Sequence, residues 1–461
     1  MNTWQGKRVV IVGAARQGTA LARYLVEHGA RVVLNDNRTA EQLSDVRSQL
    51  ADLDIDWVLG EHPLSLLDNT DLLCPSGGVP LTIPLVVEAQ NRGIPLSNDS
   101  QVFMQVVPCP VIGITGSAGK TTTTTLLGLM ASAHLAHSQG GSAWVGGNIG
   151  SPLIADVDRM QAEDVAVMEL SSFQLELTDI SPQIAAVLNV TPNHLDRHGT
   201  MQAYTAAKAN ILIFQNQDDV AILNREETGS YDLLPNVKGR LYTFGRGQLE
   251  TGQLGTYLRD RVIWARSAEA EQKVLPLDAI ELRGEHNQNN VIAACAIASA
   301  AGFSIDSMRV GIQGFAGVPH RLELVRHWGG ADWYNDSIAT APERAVASIK
   351  SFDAPLVLLA GGRDKDLPWE EFAEFATRRV DHFILFGEAA ELIQKALSDA
   401  PQTNHNYTVT QVDVLKAAVE AAAGIVQNGD VVLLAPGGTS FDEFIDFEAR
   451  GNQFKQWVQE L

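Results

Sequence analysis

The run Gly113-Ile114-Thr115-Gly116-Ser117-Ala118-Gly119-Lys120-Thr121-Thr122-Thr123 sets an apolar strand, a glycine-rich turn, a lysine and a hydroxyl-rich helix start in consecutive order. That order lets successive backbone N–H groups and a helix N-terminus surround phosphate oxygens. Lys120 can then neutralise the β- and γ-phosphates of ATP, and the Thr121 hydroxyl is placed to ligate Mg2+. The usual pattern has glycine six positions before the lysine, and here Ile114 stands there between Gly113 and Gly116. The loop is a variant, and its expected nucleotide contacts are Gly116, Ser117, Ala118, Gly119, Lys120, Thr121 and Thr122. Kinases, motors and ligases all use such a loop, so it does not by itself choose among them.

Other reactive side chains sit where a doubly wound sheet binds ligands. Glu169 closes the apolar run Val165 to Met168, at the end of a strand, with Ser171, Ser172 and Gln174 beside it. His194 follows the apolar run Ile184 to Val190 in a polar loop with Asn193 and Asp196. Asp196 orients that ring or caps the next helix, two roles that the residues leave open. Lys208 lies among Ala206, Ala207 and Ala209 on a helix expected from Met201 to Ile211. Taken singly, these have ordinary readings: a solvated strand end, an incidental loop histidine, a surface lysine. Near the N-terminus, Gly13-Ala14-Ala15-Arg16-Gln17-Gly18 joins a strand to a helix but is not the dinucleotide fingerprint, which argues against hydride transfer.

Positioning these groups calls for alternating strands and helices. Arg8 to Val12, Thr19 to His28 and Arg31 to Leu34 read as strand, helix and strand, and this grammar continues to Val107, where Pro108 and Pro110 break it. A second set begins with Val111 to Thr115 and the helix Thr121 to Ala133. The stretch Asn236 to Leu275 reads as antiparallel strands attached to its sheet, and the helix Asn287 to Ala301 follows. A third alternating set follows Val318, with Glu323 to Val325 and Ala331 to Tyr334 as its first strands. The expectation is an α/β protein of three domains: 1–107, Rossmann-like; 108–317, a P-loop ATPase-like centre; and 318–461, Rossmann-like again.

Bulk properties agree. The 461 residues exceed what one core needs, and 45% hydrophobic with 19% charged residues describe a globular chain. The excess of 55 acidic over 34 basic residues, net charge −21, argues against nucleic acid or an anionic membrane as partner. Three scattered cysteines argue against a disulfide framework. No leader-like segment opens the chain and no apolar run is long enough to span a bilayer, so a cytoplasmic protein is expected, acting as a monomer.

The ordered motifs carry a resemblance over nearly the whole chain. Besides the phosphate loop they are Gly147-Asn148-Ile149-Gly150, Glu169-Leu170-Ser171-Ser172-Phe173-Gln174-Leu175 and Asn189-Val190-Thr191-Pro192-Asn193-His194-Leu195-Asp196. Ala207-Lys208, Gly284-Glu285-His286-Asn287 with Asn290, His320-Arg321, Asn335-Asp336-Ser337, Gly361-Gly362 and the Ser440 to Phe447 segment complete them. In this order they resemble the Mur ligases of peptidoglycan synthesis, most closely the branch that adds glutamate to UDP-N-acetylmuramoyl-L-alanine. The resemblance implies that ATP phosphorylates the acceptor carboxylate and that the amine of glutamate displaces phosphate. It implies catalytic roles for Lys120, Glu169, His194 and Lys208. It also implies Mg2+ held by Thr121, Glu169, His194 and a carbamylated Lys208. It assigns Asn287, Arg321 and Asp336 to ATP, and Arg16, Gln17, Asp36, Asn37, Asn148 and His194 to the sugar nucleotide. Thr340, Lys365, Ser440 and Phe447 fall to glutamate. One departure stands out: relatives using D-glutamate commonly carry lysine where this chain has Ile338, so the charge must come from a neighbour such as Arg363 or Lys365, or the pocket takes the other enantiomer.

Overall fold

The computed structural model describes residues 4–137, 140–282, 284–364, 367–401 and 403–461. The chain divides into two compact units, one ending at Phe315 and the other running from Ala316 to Leu461.

Within the first unit, apolar runs of four to six residues form two sheets. The N-terminal sheet orders Ile55–Leu59, Arg31–Asp36, Arg8–Val12 and Leu72–Pro75, all parallel, with Val9 opposite both Val32 and Leu72. Helix Arg16–Glu27 begins directly after the first strand. Gly18 sits so close to Gly13 that a Cβ would lie 2.0 Å from the Gly13 carbonyl oxygen, which is why the loop needs a glycine there.

The second sheet has nine strands among the described residues, and one side of it orders Val220–Asn224, Ile184–Val187, Val111–Thr115, Val165–Glu169 and, at the edge, Ala143–Gly147, all parallel. Leu254–Arg259, Val262–Arg266 and Glu271–Pro276 pair antiparallel at the far side, as expected. Arg240–Phe244 differs, pairing parallel with both of its neighbours. Buried side chains of both sheets, with Phe103 of helix Asp99–Val106 and Leu153 and Ile154 between them, form one apolar cluster.

The second unit is a six-stranded sheet ordered Glu323–Trp328, Ala331–Asn335, Val431–Gly437, Leu356–Gly361, His382–Phe386 and Thr408–Gln411. Its first two strands form an antiparallel hairpin at one edge of the mostly parallel sheet that the alternation predicts. The turn Gly329-Gly330 makes that hairpin, because both residues have positive φ, 63° and 84°, which a tight hairpin turn requires. The remaining pairs are parallel, with apolar clusters on both faces. Each unit thus repeats the expected α/β layering. Among the described residues no helix is long and apolar enough to cross a membrane, and the three cysteines are buried free thiols.

Candidate active site

Strand pairing places the reactive groups. Ile114 lies opposite Glu169, and Thr115 opposite Val187, so the phosphate loop, Glu169 and the segment leading to His194 leave three adjacent strands at the same edge. The Thr115 hydroxyl donates to the Leu170 carbonyl at 2.8 Å and locks the first two strand ends together.

The loop itself is gripped by a residue whose role sequence reading missed. The Asn189 side chain donates to the Ala118 carbonyl at 3.0 Å and accepts from the Ala118 N–H at 2.8 Å, while the Asn189 carbonyl accepts from the Ser117 N–H. Ser117 donates its hydroxyl proton to the Thr191 carbonyl, and the Tyr204 hydroxyl lies 2.9 Å from Ser117 Oγ. Gly119, at φ +82°, has the Asn290 side chain where a Cβ would stand, so helix Glu285–Ala300 closes against the loop. Asn290 also donates to the Asn287 side chain at 3.2 Å, which brings the expected adenine-side residue to this edge.

Lys120 opens helix Lys120–His137 and donates to the Gly116 carbonyl at 2.9 Å. Thr121 and Thr122 follow in its first turn. Lys208, 1% exposed on helix Met201–Ile213, donates to that same carbonyl at 2.9 Å and to Thr115 Oγ1 at 3.3 Å. Burial, and next the charge of Lys120, push the Lys208 ammonium down to about 6 against the opposing pull of Glu169.

Glu169 is 2% exposed. Its Oε1 accepts from Asn148 Nδ2 at 2.9 Å, and its Oε2 is buried with no hydrogen-bond partner. A buried carboxylate oxygen left in this way calls for a cation. Asn148 therefore faces Glu169 here, in addition to the substrate role expected of it.

His194 has left-handed backbone, φ 53°, at the start of helix Leu195–His198, and its ring meets Phe173 edge-on at 5.1 Å. Phe173 also stacks on His198 and carries the Arg197 guanidinium 4.6 Å from its ring centre. Arg197 donates to the carbonyls of Gly78 and Val79 at 3.2 Å each, tying the N-terminal sheet's loop to this helix.

Four of the sugar-nucleotide candidates share an edge of the N-terminal sheet. Arg16 and Gln17 begin helix Arg16–Glu27, and Asp36 ends its strand beside exposed Asn37. The Asp36 carboxylate accepts from Ala14 N–H at 2.7 Å and from the Arg38 backbone and guanidinium. Burial raises its pKa, but these donors outweigh it and hold the carboxyl at about 2. Asp36 thus shapes the Gly13 to Arg16 turn.

In the second unit, Asn335, Gly361 and Gly437 end parallel strands at one edge. Arg450, another residue the sequence did not reveal, is 1% exposed and donates to Ser337 Oγ and to the carbonyls of Ser337, Gly438 and Thr439. It thereby binds the loop carrying Thr340 to the loop carrying Ser440. Ser337 Oγ also donates to the Phe447 carbonyl at 2.8 Å, so three of the expected glutamate residues converge. Lys365, the fourth, lies outside the described residues. Asp336, 4% exposed, accepts from Leu322 N–H at 3.0 Å and from the Ser348 hydroxyl, and so anchors the turn bearing Arg321. Burial raises its pKa.

Three family models match in chain order: a Mur ligase MurD-like N-terminal domain at 7–98, a Mur ligase middle domain at 114–298 and a Mur ligase glutamate ligase domain at 320–438. The chain is 40% identical to the UDP-N-acetylmuramoylalanine--D-glutamate ligase of Symbiobacterium thermophilum, covering 99% of this chain and 98% of that one. The chain belongs to the Mur ligase family. A Clostridium kluyveri protein of the same name is 35% identical over 99% of this chain and 97% of its own. Among solved structures, this Mur ligase is similar to the UDP-N-acetylmuramate-alanine ligase MurC of Thermotoga maritima, with TM-score 0.57 and 18% identity over 98% of this chain and 99% of that one. A pseudomurein peptide ligase type C of Methanothermus fervidus gives TM-score 0.52 at 18% identity, over 99% and 100% of the two chains. These likenesses show a shared three-domain α/β fold. Mur ligases are ATP-dependent enzymes that form an amide bond and use Mg2+, and this is the reaction class of the chain.

Proposed function

We propose that this enzyme joins D-glutamate to UDP-N-acetylmuramoyl-L-alanine in the cytoplasm, using ATP and passing through an acyl phosphate. The observation that carries this reading is the match, over essentially the whole chain, to relatives named for that reaction. The geometry supports its chemistry. We assign 1–107 to the sugar nucleotide, 108–317 to ATP and 318–461 to glutamate.

A carboxylate is a poor electrophile, and phosphorylation turns one of its oxygens into a leaving group. The backbone N–H groups of Gly116 to Thr121 and the Lys120 ammonium receive the ATP phosphates at the helix start. Arg16, Gln17 and Asn37 meet the uridine diphosphate, and Asn148 and His194 hold the muramoyl-alanine end. Once aligned, an acceptor carboxylate oxygen attacks the γ-phosphorus and the bond to ADP breaks. The neutral amine of glutamate then attacks the acyl carbon, and the tetrahedral centre collapses with loss of inorganic phosphate. Loops carrying Thr340, Ser440 and Phe447 place that amine.

The donor set fits Mg2+: Thr121 and Glu169 hold one ion, and His194 with carbamylated Lys208 holds another. When bound, Mg2+ screens the repulsion between phosphates and carboxylate. Among the described residues no three His, Cys, Asp or Glu cluster, in keeping with an ion that takes most of its oxygens from nucleotide and water. A lysine held near 6 presents a neutral amine at neutral pH. That amine attacks CO2, forms an N–C bond and releases a proton, which converts a neutral amine into an anionic oxygen ligand.

Incubating the protein with ATP, Mg2+ and the acceptor, with each glutamate enantiomer supplied separately, tests the reading. Product from D-glutamate is expected, and product from L-glutamate alone would overturn it.

A further inference from the structure

The loop that follows strand Ala331–Asn335 lacks a charged side chain at Ile338, and the nearby cations differ in what they are doing. Arg363 holds Glu388 with Nε at 2.8 Å and NH2 at 2.9 Å. Lys455 lies 3.1 Å from Glu323. Arg450 is enclosed, with its guanidinium covered by carbonyls.

Among the described residues, Arg344 differs from these three. It is exposed in the first turn of helix Pro342–Ile349, and its NH1 reaches the Ile338 carbonyl at 3.5 Å, a long contact that a carboxylate readily replaces. Among the described residues no carboxylate lies within ion-pair distance of it; Asp336 feels its charge but is already held by Leu322 and Ser348. The Thr340 N–H donates to the Ile338 carbonyl at 2.8 Å, so that one oxygen joins Thr340, Ile338 and the Arg344 fork. Ala339 in turn accepts from Gly437 N–H at 2.8 Å, the residue that leads into the Ser440 loop.

We propose that Arg344 is the cation that binds a carboxylate of the incoming glutamate, in place of the charge that Ile338 cannot supply. The inference rests on the glutamate-adding reading. A guanidinium offers two parallel N–H donors to a carboxylate, so this site should prefer an amino acid with a side-chain carboxylate over its side-chain amide.

Steady-state kinetics on the full chain test it. Arg344→Ala should raise the KM for D-glutamate by about thirty-fold, the loss expected for a charge-assisted hydrogen-bonded pair. The KM values for ATP and acceptor should stay within about twofold, as should acceptor-dependent isotope scrambling in ATP, which precedes glutamate entry. Arg344→Lys should lose less, and Ile338→Lys added to Arg344→Ala should recover much of the glutamate affinity. A folded Arg344→Ala enzyme with unchanged glutamate KM, or with all three KM values raised alike, would overturn the role of Arg344 alone. Wild-type enzyme that scrambles ATP but joins no glutamate would overturn the functional reading, and this inference with it.

Discussion

Lys120 and Lys208 donate to one acceptor, the Gly116 carbonyl oxygen, each from 2.9 Å. Two ammonium charges gathered on one carbonyl oxygen repel; at an effective dielectric near 20 such a pair about 4 Å apart costs on the order of 4 kcal/mol. Burial first, and this repulsion next, push Lys208 down to about 6. Lys208 is thereby left an amine that can take up CO2.

Lys208 should therefore carry a carbamate. Carbon-13 NMR of the enzyme in labelled bicarbonate should show one protein carbamate signal that Lys208→Met abolishes. Because the neutral amine is the reacting form, the signal should decline as pH falls through about 6. A spectrum identical in the variant would contradict this.

Asn148 fixes one oxygen of Glu169 and leaves the other unpartnered. Asn148→Ala should release the carboxylate from its aim. The Mg2+ concentration giving half-maximal activity should rise about ten-fold, the equivalent of one hydrogen bond to a charged group. An unchanged Mg2+ dependence would show that Asn148 does not orient Glu169.

Arg197 spans from the face of Phe173 to the Gly78 and Val79 carbonyls. Removing it should loosen the sugar-nucleotide loop more than the phosphate loop. We expect Arg197→Ala to raise the acceptor KM about ten-fold while the ATP KM holds within twofold, reflecting two lost charge-assisted contacts at an exposed site. Equal changes in both constants would argue for a general structural role.

Asp99 is enclosed in helix Asp99–Val106, and burial lifts its carboxyl to about 6, with the Ser100 N–H, the Gln174 side chain and the Arg16 charge pulling it partly back. Its ordinary value is 3.8. Below that value both folded and unfolded chains hold the proton. Between 3.8 and about 6 only the folded chain keeps it, so the contribution of Asp99 to stability is present at low pH and lost as pH rises through about 6. Relative to wild type, Asp99→Asn should gain thermal stability progressively across that window and no further above it. Parallel melting curves at pH 4 and pH 7 would refute this.

Much of the reaction was legible because its groups sit next to strong local signals. The phosphate loop, Glu169 and His194 each follow an apolar run, and a parallel sheet carries every such run to the same edge. Elements whose patterns are weak locally escaped. Strand Thr408–Gln411 is exposed throughout, so it shows no apolar face, and helix Asp99–Val106 buries the polar residues Asp99, Ser100 and Gln101, which give its first turn no apolar stripe. Strand Ala143–Gly147 ends in two glycines that masked it. Asn189, Arg197, Arg344 and Arg450 act through partners distant in sequence or through carbonyl groups, and neither kind of contact leaves a pattern in residue types.

The central claim is that the acceptor carboxylate is activated as an acyl phosphate. It is tested most directly by labelling that carboxylate with oxygen-18, running the reaction with unlabelled ATP and D-glutamate, and weighing the products by mass spectrometry. One labelled oxygen should appear in each molecule of released inorganic phosphate, with none in ADP. Unlabelled phosphate, or label transferred to AMP, would contradict the mechanism.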